Sequence, residues 1–293
     1  MKLYFLTLLL LSVSMEQIAS QDVEVSEYGS STVHKILSSE TNKEYKITIT
    51  TPKDYDKESK YKVLSYLDSW WLKETICGTN AIAFLSNKIE PIILVGISGL
   101  GNEMQWHLHR NYDYTPSPYD EKLMGFSMKG GSSEMDSLNT GGASEFIDFF
   151  EFKVMKYIED NYPNVGDRGF IGHSYGGLFG VYMVQNRPEI FRNVILISPS
   201  VWWNQSEILL SQLFEKIESQ QINTKIYLTV GGKEAKLLTR SITKLDAIFS
   251  SLAQNNFKYK YEIFENANHN SVIPQSVYNG LELMYGFIDF ESK

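Results

Sequence analysis

The chain has 293 residues, enough for one large domain or two small ones. Hydrophobic residues make up 43% of it and charged residues 21%, which excludes a disordered chain, a collagen-like fibre and a polytopic membrane protein. Lysine plus arginine number 27 and aspartate plus glutamate 35, so the formal net charge is −8. We therefore expect no nucleic-acid partner, because neutralising phosphates requires a basic surface. The one cysteine, Cys77, excludes an intrachain disulfide and a zinc cluster of several thiolates.

Residues 1–20 (MKLYFLTLLLLSVSMEQIAS) have the layout of a secretory signal peptide. Lys2 gives a positive start, and the apolar run that follows is too short to span a bilayer comfortably. We expect cleavage, a mature domain over 21–293 and no stable membrane insertion; an uncleaved anchor or a buried strand is the alternative. An exported chain without disulfides is more typical of a bacterial periplasm than of an animal extracellular space, so we expect a periplasmic or secreted bacterial protein.

Strand-like and helix-like runs alternate along the mature chain. Strands are predicted over 45–50, 61–67, 91–98, 169–172, 193–198, 225–230 and 258–264, and helices over 144–160, 176–185, 241–255 and 277–290. This alternation predicts one α/β domain with a mostly parallel central sheet and helices on both faces. The segment 115–143 is long, polar and rich in Gly, Ser and Pro, which is typical of a substrate lid or of a plain surface loop.

The predicted helix over 144–160 has a broad apolar face. Its members recur at helical spacing, and we expect all of them to be buried: Phe146, Phe149, Phe150, Phe152 and Met155.

The segment 172–176 (GHSYG) matches G-x-S-x-G, the nucleophile elbow. In that motif a serine sits on a strained turn between a strand and a helix, so we predict Ser174 as a nucleophile. The N–H of Tyr175 begins the following helix and can donate to an oxyanion. We expect the side chain of His173 to point away from Ser174 and to have a structural role. A tight glycine turn without chemistry is the alternative.

A nucleophilic serine needs a base and an acid, and the expected order along the chain is serine, acid, histidine. His269 is the only histidine well downstream of Ser174, and it lies just after the last predicted strand. Glu234 follows the predicted strand 225–230 and is the best candidate to orient His269; the alternative is a surface carboxylate at a helix N-terminus. A second oxyanion donor is expected after an early strand, and the N–H of Ser69 is the candidate, with Asp68 shaping the turn.

The chain resembles the esterase-D and ferric-siderophore-esterase group of α/β-hydrolases, the "putative esterase" family, from about residue 40 to 288. The likeness is carried by LSYLDSWW at 64–71, ILVGIS at 93–98, HRNYDYTP at 109–116, the helix segment 141–162, GHSYGG, SPSVWW at 198–203 and NHNSVIP. It implies Ser174 as nucleophile, His269 as base and oxyanion donors at Ser69 and Tyr175. At Ser69 the family usually has glycine.

The resemblance also suggests substrate-binding residues. Arg110 matches a family arginine near the substrate, although a structural salt bridge to Asp113 is an equal interpretation. Trp202 and Trp203 either line the pocket or pack in the core.

These patterns together predict an exported serine esterase that hydrolyses carboxylic esters through an acyl-enzyme, without a metal or an organic cofactor. The expected partner is a small-molecule ester: a siderophore trilactone, or an acyl or feruloyl ester linked to a carbohydrate. Acyl transfer to an alcohol is one alternative activity. A catalytically silent binding protein on a hydrolase scaffold is the alternative from a different class.

Overall fold

The structure is a computed structural model, and it describes residues 20–26, 29–124, 139–162, 165–210, 224–253 and 257–287, with Phe214 and Ile217. The predicted signal peptide lies outside these residues except for Ser20, which begins the first strand. Cleavage and export therefore stay predictions. Most of the predicted loop at 115–143 also lies outside the described residues.

One mixed sheet runs through the described part of the chain, with nine strands in the order β1-β2-β3-β5-β4-β6-β7-β8-β9. Their bounds are β1 (Ser20–Ser26), β2 (Gly29–Ser38), β3 (Lys43–Pro52), β4 (Tyr61–Tyr66), β5 (Ile92–Gly99), β6 (Val165–His173), β7 (Asn193–Ile197), β8 (Lys225–Gly231) and β9 (Lys258–Phe264). Strands β1, β2 and β3 pair antiparallel to one another, and β3 also pairs antiparallel with β5. From β5 through β4 and β6 to β9 all pairs are parallel.

Helices cover both faces of the sheet. They are α1 (Ser69–Leu85), α2 (Glu103–Asp113), α3 (Glu121–Met124), α4 (Ala143–Phe149), α5 (Lys156–Asn161), α6 (Tyr175–Asn186), α7 (Trp203–Ser206), α8 (Lys236–Ala253) and α9 (Ile273–Tyr285). A π-helical turn (Phe150–Met155) joins α4 to α5, and a 3₁₀ turn (Glu207–Leu209) follows α7. The predicted sheet, mostly parallel and covered by helices, is confirmed.

The two faces form two separate cores because successive strand side chains point in opposite directions. In β7, Val194 and Leu196 belong to the cluster that contains the aromatic side chains of α4 and α6, while Ile195 and Ile197 belong to the cluster that contains apolar residues of α1 and α9. This double burial explains why the parallel strands read as continuous apolar runs in the sequence. Within the ranges described, no helix is both long and apolar enough to cross a bilayer.

The predicted apolar face of residues 144–160 is correct with one exception. Phe146, Phe149 and Phe150 are fully buried, but Phe152 is 54% exposed. At 3.6 residues per turn, Phe152 lies about a third of a turn from the centre of the stripe formed by the other three phenylalanines, so the predicted face is too wide. The guanidinium of Arg187 lies 6.0 Å from the centre of the Phe152 ring.

Cys77 lies on α1 and is half-buried. Burial raises the pKa of its thiol, which therefore stays protonated at neutral pH.

Candidate active site

Ser174 lies at the turn between β6 and α6, as the elbow motif predicts. Its φ is 58° and its ψ is −117°, a strained conformation for a residue with a side chain. The Ser174 N–H donates to the carbonyl of Ile197 at 3.0 Å, and its own carbonyl accepts from Leu178 at 2.9 Å. These bonds join the turn to β7 and to the first turn of α6, and so offset the strain.

The parallel register brings three functional loops to one edge of the sheet. β6 pairs with β7 and β7 with β8, so the carboxyl ends of these strands are adjacent. Ser174 follows β6, and Glu234 follows β8. His269 follows β9, which pairs with β8. Residues far apart in the chain therefore meet where ligands bind in open α/β sheets.

His269 and Glu234 form a direct pair. Nδ1 of His269 lies 2.7 Å from Oε2 of Glu234. The His269 loop is held by Asn268, whose side-chain oxygen accepts hydrogen bonds from the N–H groups of Asn270 and Ser271 at 3.1 and 2.9 Å. A carboxylate that accepts a hydrogen bond from Nδ1–H fixes the tautomer in which Nε2 carries no proton and can accept one.

The Glu234 carboxylate is buried and fully hydrogen-bonded. Its side chain is 1% exposed, so the alternative of a surface carboxylate is wrong. Burial alone would raise the pKa of Glu234, but donors oppose it: the His269 ring, the Ser198 hydroxyl at 2.5 Å and the Gly231 N–H at 2.8 Å. The net effect lowers the pKa, and Glu234 is ionised at neutral pH.

His173 contacts the His269 loop and not Ser174. Its Nε2 lies 2.8 Å from the backbone oxygen of His269, and the two rings are 4.5 Å apart. Burial, followed by the neighbouring His269, lowers the pKa of His173 well below its usual range. The neutral ring therefore donates from Nε2 to that carbonyl, which agrees with a structural role.

Ser174 Oγ contacts a residue that sequence reasoning missed. Within the described residues its hydrogen-bond partner is Oγ of Ser200, at 3.2 Å, and not His269. The Ser200 N–H also donates to the Ser174 carbonyl at 3.0 Å. The only signal in the sequence is the SPS triplet at 198–200 after a buried strand.

The two predicted oxyanion donors begin two adjacent helices. Tyr175 is the first residue of α6 and Ser69 the first of α1, so both N–H groups belong to helix ends that lack intrahelical acceptors. The two helix ends are close: a methyl group added at Gly176, in the first turn of α6, would lie 3.7 Å from Oδ2 of Asp68, which precedes α1. Two helix N-termini side by side favour negative charge between them.

Arg110 pairs with Asp68, and the alternative pairing with Asp113 is wrong. The guanidinium donates to both Asp68 oxygens, at 3.3 and 3.1 Å, and the two side chains are 12% and 0% exposed. Asp113 instead accepts from Lys43 at 2.7 Å and from Tyr45 at 2.9 Å. Burial alone would lower the pKa of Arg110, but Asp68 outweighs it and raises it. The guanidinium also lies 5.1 Å from the centre of the Tyr175 ring.

The two predicted pocket tryptophans have different surroundings. Trp203 is fully buried, and its Nε1 donates to the side chain of Ser117 at 3.1 Å, so it packs in the core. Trp202 is half-buried, with its ring 6.2 Å from that of Tyr175. Sequence reasoning missed Trp70, which follows Ser69, is 43% exposed and lies 4.0 Å from the Trp106 ring.

A family model described as "Putative esterase" matches residues 38–273. The chain belongs to this family. The match includes the elbow, the Glu234 loop and the His269 loop. The predicted family and the predicted enzyme class, a carboxylic ester hydrolase, are therefore confirmed, while the roles of individual residues stay predictions.

Relatives of this esterase include siderophore esterases. It is 28% identical to the ferri-bacillibactin esterase BesA of Bacillus subtilis over 85% of the chain and 87% of the relative. It is 36% identical to the siderophore enterobactin esterase of Emericella nidulans over 103 residues. This aligned segment covers 34% of this chain and only 33% of that relative. A crystal structure of the BES protein from Bacillus cereus superposes with a TM-score of 0.75 and 26% identity, over 91% of this chain and 98% of that one. The predicted α/β-hydrolase fold is thereby confirmed.

The site of the esterase combines a strained serine, a carboxylate-bound imidazole and two helix N-termini. Acyl transfer needs a nucleophile, an oriented base and oxyanion donors, and these groups are the candidates for those roles. In the part of the chain that the structure describes, no three His, Cys, Asp or Glu side chains are grouped to hold a metal ion.

Proposed function

We propose that this esterase hydrolyses carboxylic esters through an acyl-enzyme on Ser174. His269 is the general base, Glu234 orients it, and the N–H groups of Tyr175 and Ser69 bind the oxyanion. The observation that carries the proposal is the buried, ionised Glu234 at 2.7 Å from His269, at the same sheet edge as the strained Ser174.

The chemistry follows from these positions. His269 Nε2 takes the Ser174 proton while Oγ attacks the ester carbonyl carbon. The carbonyl electron pair moves to oxygen, which the two N–H groups stabilise. The imidazolium then protonates the leaving alcohol, and a water molecule repeats the sequence to release the acid. Glu234 stays ionised and stabilises the imidazolium.

A siderophore ester is the proposed substrate class, and the relatives named as siderophore esterases support it. Arg110 is proposed as a substrate-binding residue. Asp68 accepts from Nε and Nη2 of its guanidinium, which leaves further N–H donors for an oxygen-rich ligand. Trp202 and Trp70 would supply apolar contact beside it. The proposed location is the periplasm or the medium of a bacterium, supported by the signal-peptide layout of residues 1–20.

Labelling with a fluorophosphonate tests the mechanism. Purified protein is treated with the probe, and the adduct is located by intact mass and peptide mapping. We expect one adduct on Ser174, absent from Ser174→Ala and strongly reduced in His269→Ala, with the fold of both variants unchanged. Absence of an adduct on folded wild-type protein contradicts the mechanism and favours a binding role.

An ester panel then tests the substrate class. Siderophore lactones, feruloyl sugars and short acyl esters are compared by kcat/KM, with Ser174→Ala as the blank. We expect the siderophore lactones to be preferred. Transfer of the acyl group to an added alcohol at the expense of hydrolysis would instead assign an acyltransferase.

A further inference from the structure

The turn after β7 carries two buried hydroxyl groups that face different members of the site. Ser198, with a φ of 45°, donates its hydroxyl to Glu234 at 2.5 Å. Ser200, two residues later, contacts Ser174 through both its N–H and its hydroxyl. One short turn therefore contacts both the proposed acid and the proposed nucleophile.

The Ser200 hydroxyl has a single evident use. The residue is 2% exposed, and a hydroxyl buried to that extent needs a hydrogen-bond partner. Among the described residues that partner is Oγ of Ser174, at 3.2 Å. Either oxygen can donate in such a pair. When the Ser174 proton passes to His269, however, only Ser200 still has a proton to donate.

We propose that Ser200 is a further catalytic residue, which donates a hydrogen bond to Ser174 Oγ while negative charge develops there. The inference rests on the proposed function. In the first step the Ser174 O–H bond breaks, the proton joins His269 Nε2, and an Oγ lone pair forms the bond to the carbonyl carbon. No bond to Ser200 is made or broken.

The same donor acts a second time. When water attacks the acyl-enzyme, the bond between Oγ and the acyl carbon breaks and its electron pair returns to Oγ. A fixed donor at 3.2 Å stabilises that leaving oxygen without reorganisation. The hydrogen bond from Ser200 therefore lowers the barriers of both acylation and deacylation, which predicts an effect on kcat more than on KM.

The test compares Ser200→Ala with the wild-type protein in two assays: hydrolysis of p-nitrophenyl acetate and the second-order rate of fluorophosphonate labelling. A hydrogen bond to a charged oxygen is worth a factor of about 10–100, so we expect kcat and the labelling rate to fall by that factor. KM should stay within about twofold. Ser200→Thr keeps the hydroxyl and should restore most of the rate; Ser200→Cys, a weaker donor of similar size, should be intermediate.

Ser276→Ala is the matched control. Ser276 is fully buried, and its hydroxyl pairs with that of Thr229 at 2.8 Å and not with Ser174, so it reports the general cost of deleting such a group. We expect it to lower stability without changing either rate.

The failures are distinguishable. A wild-type protein that labels at Ser174, together with Ser200→Ala labelling equally fast, overturns the Ser200 role and leaves the proposed function intact. A wild-type protein that does not label at Ser174 overturns both. Equal losses in Ser200→Ala and Ser276→Ala would also overturn the inference, since the effect would then be one of packing.

Discussion

The two glycines of the elbow motif experience different constraints. A methyl group added at Gly172 would lie 2.1 Å from the backbone oxygen of Gly176, a contact that only a backbone shift can relieve. At Gly176 the nearest atom would be the Leu67 Cβ at 3.6 Å, an ordinary van der Waals distance. The first glycine is therefore required by close backbone approach, and the second is not.

Substitution of each glycine by alanine tests this difference. We expect Gly172→Ala to cost about 1–3 kcal/mol in the free energy of unfolding, from overpacking. It should also lower kcat/KM by about 100-fold, because Ser174 moves with the turn. Gly176→Ala should change the free energy of unfolding by less than about 0.5 kcal/mol. Urea unfolding measures both variants, and equal destabilisation would contradict the argument.

At the scale of elements, the phenylalanines at the end of α4 and in the π-helical turn differ in burial and therefore in their expected contribution to stability. Phe149 is fully buried, whereas Phe152 is 54% exposed. We expect Phe149→Ala to cost about 3–5 kcal/mol and Phe152→Ala to have a small effect, of about 0.5 kcal/mol or less. Thermal and urea unfolding of the two variants provide the comparison. A large loss in Phe152→Ala would mean that its ring is covered in solution.

The loop between β4 and α1 is joined to α2 by the Arg110–Asp68 pair. Asp68→Asn leaves a nearly buried guanidinium without its counter-charge, so we expect a loss of about 3 kcal/mol in the free energy of unfolding. The control is Asp160→Asn, which breaks the Lys156–Asp160 pair, whose side chains are 66% and 57% exposed. Solvent screens an exposed pair of this kind, so its loss should leave the free energy of unfolding almost unchanged. Comparable losses in the free energy of unfolding of both variants would contradict the view that Asp68 is the buried counter-charge of Arg110.

At the scale of the whole molecule, four of the five histidines have a pKa lowered chiefly by burial: His34, His107, His109 and His173. Below the usual histidine pKa, the unfolded chain therefore binds more protons than the folded one. Each such group contributes stability that is present above that pKa and is lost as the pH falls. Asp113, whose pKa is raised to about 6 by burial, acts in the opposite direction as the pH falls through 6, so it offsets part of the histidine effect at the acidic end of the range.

We therefore expect the free energy of unfolding to fall between pH 7.5 and pH 6, by at most about 1.4 kcal/mol per pH unit for each histidine. Urea unfolding at a series of pH values measures this slope. In His34→Gln, which is remote from the site, the slope should be smaller. A stability that is flat or rises as the pH falls over this range would contradict the expectation.

The sequence by itself determined the features that depend on local pattern. Continuous apolar runs predict the parallel strands inside the sheet, since a strand buried on both faces has no polar side. The edge strand β9 alternates instead, and it too has the predicted bounds, 258–264. The elbow motif, and the order of Ser174, Glu234 and His269 along the chain, can be identified in the sequence without a structure. By contrast, β2, α1 and α2 were missed, because their apolar residues are sparse or their periodicity is weak.

Only the tertiary structure decided which distant groups touch. The partner of Arg110 is Asp68, 42 residues earlier, and the partner of Ser174 Oγ is Ser200, 26 residues later. Such contacts depend on strand order and register, which place the ends of non-consecutive strands side by side. Helical and strand periodicities report which face of an element is buried and not what lies across from it. Phe152 illustrates the same limit, since an apolar residue at the margin of a helical stripe is buried only if another element packs beside it.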